Sequence, residues 1–198
     1  MKIYYITSVN GKTAFEPREV PKPQPKAGEI LVKVKAASLN RGEILASITM
    51  HKVHEPHPAG ADCAGEVEAV GEGVTQFKPG DRIIGRARGS FAEYVAMAAD
   101  QAAAAPRNLS WEDAASLGVA AITAYEAIVP LGRFKSGETL LVAGAASGVG
   151  VMAVQIGKYL GGKVVGLSRS KEKLDKLKGV GMDVGIQANG PGFADQVL

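Results

Sequence analysis

Cysteine is nearly absent from this chain. Cys63 stands alone, so neither an internal disulfide nor a cysteine-built zinc knot can form within one copy, and a reducing, intracellular setting fits. An excess of either charge is lacking too. The formal net charge of +3 is spread along 198 residues, too diffuse for a nucleic-acid surface or a membrane-binding stripe. No uninterrupted apolar run approaches the ~18 residues of a membrane span, and Met1 to Thr7 is a short alternating run rather than a basic segment leading into an apolar core. These absences point to a cytoplasmic protein without membrane or nucleic-acid partners. The apolar share of 46% is ordinary for a chain that forms a packed core.

The first hundred residues read as short strands separated by turns. Lys2 to Thr7, the alternating Ile30, Val32 and Val34, Gly65 to Val70, Arg82 to Gly85, and Phe91, Tyr94 and Val95 carry the strand pattern. Gly71-Glu72-Gly73 marks one turn, and Lys78-Pro79-Gly80-Asp81, with Pro second and Gly third, fits a type II turn. After the alanine-rich stretch Ala102 to Ala105, Ser110 with Asp113 predicts a capped helix start. The composition shift places a domain boundary between residues 105 and 106. From there the order reads helix, strand, helix, strand, helix, strand, closing with Asp183 to Gln187 and a helical opening from Phe193 to Leu198. Three parallel strands make half of a doubly wound nucleotide domain, so the expected fold is α/β with a partial second domain, 106–198.

The most informative segment is Thr139 to Gly150. Leu140, Leu141 and Val142 read as a buried strand that runs into a glycine turn, and Val149, Ala153, Ile156 and Leu160 predict one face of the helix that follows. Gly144, Gly148 and Gly150 let the backbone turn tightly and approach a pyrophosphate, while the helix start offers unpaired N–H groups and a positive dipole end. The competing reading is a buried strand-to-helix turn that needs glycine for packing alone. One further absence bears on this choice. The second strand, Val164 to Leu167, ends not in the acid that would accept from a ribose 2′-hydroxyl but in Ser168 and Arg169, with Lys173 one turn on. Such a cluster suits a 2′-phosphate and favours NADPH over NADH. Against it stands the view that Arg169, Lys171 and Lys173 merely form a solvated helix start.

Several segments together resemble the zinc-independent branch of the medium-chain dehydrogenase/reductase superfamily, close to the zeta-crystallin-like quinone oxidoreductases. They are Ala37-Ser38-Leu39-Asn40-Arg41-Gly42-Glu43, Gly60 to Gly73 with Phe77 to Arg82, Ser90 to Tyr94, and the Gly144 to Gly150 turn. The resemblance implies a GroES-like β-barrel catalytic domain over 1–105, a truncated Rossmann domain after it, and an active-site cleft between them. It also implies NADPH-dependent reduction of quinones or α,β-unsaturated carbonyls, and homodimers or homotetramers at full length. Thr123, Ser147, Gly148, Val149 and Gly150 correspond to cofactor-binding positions, and Ser168, Arg169 and Lys173 fall where the family holds the 2′-phosphate. A helix threonine can equally satisfy its hydroxyl on the preceding turn. Where zinc-dependent relatives place metal ligands the chain has Asn40, Ala61 and Asp62, with Val119 or Ala120 at a further ligand position, so no catalytic metal is expected. His51, His54 and His57 recur every third residue, but Pro56 and Pro58 leave them no common face. Two departures from the family are Ala188 and Leu45, each where many relatives carry tyrosine.

These readings lead to hydride transfer from NADPH to an electron-poor acceptor, with the protein supplying orientation and exclusion of water. Asn40 is the candidate for lining the substrate pocket and donating to the acceptor oxygen, and its competing role is a turn residue bonded to its own backbone. No residue stands out as a proton donor, which suits a quinone better than a simple ketone. The rival function is a nucleotide-binding protein without turnover, in a structural or RNA-associated role.

Overall fold

The computed structural model describes residues 1–9, 12–44 and 55–189. The chain divides into two compact units, Met1–Val119 and Ala120–Leu198. In the first, β1 (Lys2–Val9) pairs antiparallel with β2 (Lys12–Glu19) on one edge and with β4 (His57–Pro58) on the other. A five-stranded antiparallel sheet follows, built from β3 (Glu29–Ala37), β5 (Asp62–Val70), β6 (Arg82–Arg86), β7 (Tyr94–Ala98) and β8 (Ala102–Ala104), in the order β7-β3-β5-β6-β8. Its alternation buries one set of side chains. Ile30, Val32, Cys63, Val67, Ile83, Val95 and Met97 form the core, each aliphatic residue contributing about 1.5–3 kcal/mol on leaving water. The expected type II turn is present, with Gly80 at φ 90° and the Asp81 N–H donating to the Lys78 carbonyl at 3.1 Å.

Helix α1 (Trp111–Glu126) starts as the sequence predicts: the Asp113 N–H donates to Ser110 Oγ at 3.0 Å, and that hydroxyl donates to the Asp113 carboxylate at 2.8 Å. Its first turns pack Ala114 and Ala115 against Ala64 and Ala105. The two units therefore divide within α1, between Val119 and Ala120, and not at the composition shift near residue 105. Together with the wider turn Ala127–Leu131, which contains Pro130, α1 is long and apolar enough to cross a membrane by length and composition, with mean hydropathy 1.5. Counting uninterrupted apolar residues overlooks it, because Ser116, Gly118 and Thr123 interrupt the run without lowering the average much.

The second unit carries a parallel sheet in the order β11-β10-β9, from β9 (Thr139–Ala143), β10 (Lys163–Ser168) and β11 (Val184–Gln187). Helices α2 (Gly148–Tyr159) and α3 (Lys171–Lys178) cover one face, where Val142, Val154, Val164, Leu174, Leu177 and Met182 pack together. Two expectations are corrected here. Leu141 is 45% exposed, because β9 is an edge strand and only Leu140 and Val142 turn toward the helices. The buried stripe of α2 is Gly150, Val154 and Gly157, with Val149 at the surface. A Cβ at Gly157 would collide with Leu140, so this helix meets the sheet through glycines that a count of apolar side chains ignores. The predicted opening of a helix at Phe193–Leu198 lies outside the described residues.

Candidate functional site

Parallel pairing of β9 and β10 brings the glycine turn and the Ser168 segment to the same end of the sheet. The Ala145 N–H donates to the Leu167 carbonyl at 2.9 Å, tying the two together. Gly144 adopts φ 67°, a left-handed conformation that a side chain would strain. A Cβ at Gly150 would strike the Gly144 carbonyl and the Ala145 backbone, whereas one at Gly148 would meet nothing. Ser147 caps α2, its Oγ accepting the Gly150 N–H at 3.1 Å. The Val151 N–H is likewise used, by the Ser147 carbonyl. Among the described residues, the N–H groups of Gly148 and Val149 donate to nothing. Two amides at a helix start, beneath open space, form an anion-binding surface.

Beside this turn, the charges of α3 separate into two groups. Lys171, Lys176 and Lys178 are paired with Asp175 or Glu172 at 2.7–3.1 Å. Arg169 and Lys173 are exposed and have no ionic partner among the described residues. Arg169, Lys171 and Lys173 are all exposed, as a solvated helix start also requires, and of the three only Lys171 is ion-paired. Ser170, which the sequence reading passed over, is the N-cap of α3: its Oγ accepts the Lys173 N–H at 3.3 Å. A serine directly before a charged helical run is a legible cap signal. Ser168 accepts the Ser170 N–H at 3.3 Å through its hydroxyl and the Ala188 N–H at 3.0 Å through its carbonyl.

In the β-rich unit, a second constellation surrounds Asp62. Its carboxylate is fully buried and accepts from Ser38 Oγ at 2.5 Å, Asn40 Nδ2 at 3.2 Å and the Val119 N–H at 2.6 Å. Asn40 Nδ2 also donates to Ser38 Oγ at 3.0 Å. The Asn40 N–H donates to Glu43 Oε2 at 2.8 Å, and the Glu43 N–H returns to the Asn40 carbonyl at 3.2 Å. This reciprocal pair fixes the chain at the start of the helical turn over 41–44. The Asn40 side chain is therefore not bonded to its own turn, and its N–H groups, expected to face an acceptor oxygen, are directed into the protein. Sequence spacing could reveal the Asn40-x-x-Glu43 cap, but not the contact of residue 40 with residue 62.

Thr123 lies on the exposed side of α1, and its hydroxyl makes no bond to the preceding turn among the described residues. Ala61 and Asp62 are adjacent, with Asp62 turned into the cage just described and the Ala61 carbonyl accepting the Ala87 N–H at 2.9 Å. Burial pushes the neighbouring Cys63 thiol up to about 12, with the Asp62 charge adding to the shift. His51, His54 and Leu45 lie outside the described residues, while Ala188 packs against Val165, Leu167 and Ile186.

Comparison with known proteins gives a consistent result. Residues 26–107 match the alcohol dehydrogenase GroES-like domain. The chain is 37% identical to quinone oxidoreductase of Homo sapiens over 155 residues, 76% of this chain and 47% of that protein. It is 35% identical to 2-methylene-furan-3-one reductase of Solanum lycopersicum over 187 residues, 87% of this chain and 48% of that protein. It thus spans about half the length of these curated relatives. The solved structure of Escherichia coli quinone oxidoreductase complexed with NADPH superposes with a TM-score of 0.85 at 27% identity, covering 98% of this chain and 60% of that one.

Proposed function

Because the chain belongs to the zeta-crystallin-like quinone oxidoreductase branch of the medium-chain dehydrogenase/reductase superfamily, we propose that it is an NADPH-dependent oxidoreductase acting on quinones or α,β-unsaturated carbonyls without zinc. The observation that carries this reading is the pair of unengaged amides, Gly148 and Val149, next to the unpaired cations Arg169 and Lys173. Those amides would hold the pyrophosphate, and Arg169, Lys173 and Ser168 the 2′-phosphate. Ser147 and Gly150 shape the turn beneath it. Bound there, the reduced nicotinamide supplies hydride. The chain's own part is to bind, orient and exclude water, with Thr123 and Asn40 as the further contacts this reading assigns. The proton comes from solvent or the cofactor ribose, since a reduced quinone oxygen needs no dedicated acid.

In the same reading the β-rich unit, Met1–Val119, forms the catalytic lobe and Ala120–Leu198 the coenzyme lobe. The partner is a small molecule, with neither nucleic acid nor membrane involved, the setting is cytoplasmic, and the full-length protein is a homodimer or homotetramer. The test is an NADPH titration followed by an assay with a simple quinone. Saturable binding with loss of the reduced-nicotinamide absorbance is expected. Binding without that loss would instead favour the non-catalytic nucleotide binder.

A further inference from the structure

We propose that Asp62 is a positioning residue that locks the Asn40 amide with its carbonyl outward, so that the site at Asn40 accepts a hydrogen bond from a hydroxyl, the phenolic O–H of a reduced quinone, and does not donate to the quinone carbonyl. This rests on the proposed function for the identity of the hydroxyl, but not for the orientation of the amide.

Two linked constraints set that orientation. Asp62 is fully buried without a cationic partner among the described residues, and its carboxylate is surrounded by donors: Ser38 Oγ at 2.5 Å, the Val119 N–H at 2.6 Å and Asn40 Nδ2 at 3.2 Å. Turning the Asn40 amide over would set its oxygen against a carboxylate oxygen, two acceptors in contact. The second constraint is Ser38. Its single hydroxyl hydrogen is committed to Asp62, so only lone pairs face Asn40, and the 3.0 Å contact requires Asn40 to donate. The chain of donation runs one way, from Asn40 through Ser38 to Asp62.

The backbone is held as firmly as the side chain. Glu43, 7% exposed, takes the Asn40 N–H at 2.8 Å, and Asn40 takes the Glu43 N–H in return. What remains is Oδ1. Among the described residues no donor reaches it, and the only fully buried side-chain polar atom without a partner among them is Arg82 Nε, so Oδ1 keeps contact with solvent. An amide oxygen that cannot rotate out of place repels a carbonyl and accepts a hydroxyl. Asp62 touches no ligand in this scheme; its effect on recognition passes through Asn40.

The test has a structural arm and a ligand arm, both on the full chain. In the first, side-chain amide NMR of ¹⁵N-labelled protein should show slowed solvent exchange for Asn40 Nδ2, lost in Asp62→Asn. If Asp62→Asn does not fold, Ser38→Ala, which removes one of the two acceptors, should raise the exchange rate while the backbone spectrum stays native. In the second, hydroquinone should bind about tenfold more tightly than 1,4-dimethoxybenzene, which keeps the ring but has no donor. Asn40→Leu should erase that preference. A freely exchanging Asn40 amide, equal affinity for the two probes, or binding of neither overturns the proposal. NADPH affinity is measured in parallel on the same samples. Its loss in the unaltered chain overturns the proposed function while leaving the amide result standing, so the two failures are distinguishable.

Discussion

The carboxylate of Asp62 accepts the backbone N–H of Val119 at 2.6 Å, across 57 residues of sequence. Gly118 makes this approach possible. A Cβ there would collide with Oδ2 and Cβ of Asp62, a group fixed on its other side by Ser38 and Asn40 and unable to yield cheaply. Gly118→Ala should therefore destabilise the protein by about 1–3 kcal/mol through overpacking, read as a lowered denaturation midpoint with an unchanged slope. A midpoint equal to that of the unaltered chain would mean that the start of α1 adjusts freely.

Glycines in the coenzyme turn have different duties, and substitution should separate them. Gly150→Ala drives a methyl group into the Gly144 carbonyl and the Ala145 backbone, so the turn must open. A loss of about 1–3 kcal/mol in stability is expected, with NADPH affinity reduced at least about tenfold as the amides lose their aim. Gly148→Ala meets no protein atom, and helix propensity favours alanine there. Its stability should hold or rise slightly, and any loss of nucleotide affinity would report the methyl group occupying the space above the amides. Fluorescence titration with NADPH alongside thermal melts separates these outcomes.

What the sequence discloses follows from where each signal resides. The alternation of Ile30, Val32 and Val34 makes β3 legible because these residues share the core-facing side, although Leu31 between them is buried as well, and the glycine turn is legible because its conformation demands a residue type. Strand β2, Lys12–Glu19, is silent by comparison: it carries Pro17 and four charged side chains, which an edge strand tolerates and a pattern search discards. Strand β8, Ala102–Ala104, is hidden by alanine, a residue with little strand preference that pairs here with Ile83 to Gly85. The Asp62 cage is illegible for a deeper reason. Ser38, Asn40, Asp62 and Val119 have no periodic relationship, and only the closure of β3, β5 and α1 brings them together.

Arg169 and Lys173 should determine which nicotinamide coenzyme is preferred. Neither has an ionic partner to satisfy, so neutralising them costs the fold little. Each charge-assisted contact with a phosphate contributes about 1.5–3 kcal/mol, so Arg169→Gln should weaken NADPH binding by roughly tenfold to a hundredfold. NADH, without the 2′-phosphate, should be little affected. The companion variant Lys171→Gln removes a cation already paired with Asp175 at 2.8 Å and serves as the control. Raising the salt concentration should narrow the NADPH preference of the unaltered chain more than that of Arg169→Gln, in which only Lys173 remains to be screened. Equal weakening for both coenzymes would remove Arg169 from the 2′-phosphate site.

Asp183 gives the coenzyme unit an acid-sensitive fastening. Its carboxylate accepts Lys158 Nζ at 2.6 Å and the Val164 N–H at 2.8 Å, joining the last turn of α2 to the start of β10 and the approach to β11. The Lys158 hydrogen bond, followed by that of the Val164 N–H, holds the acid below its usual value of 3.8. The folded form thus binds its proton less readily than the unfolded chain. Stability from this site is fully present above pH 3.8 and is lost as the pH falls through the depressed value. Asp183→Asn should accordingly lower the melting temperature at neutral pH, and the gap from the unaltered chain should close as the solution is acidified past that range. Melting curves recorded at steps from neutral to strongly acidic pH check the sign, because a gap that widened toward acid would mean the native state favours the protonated form.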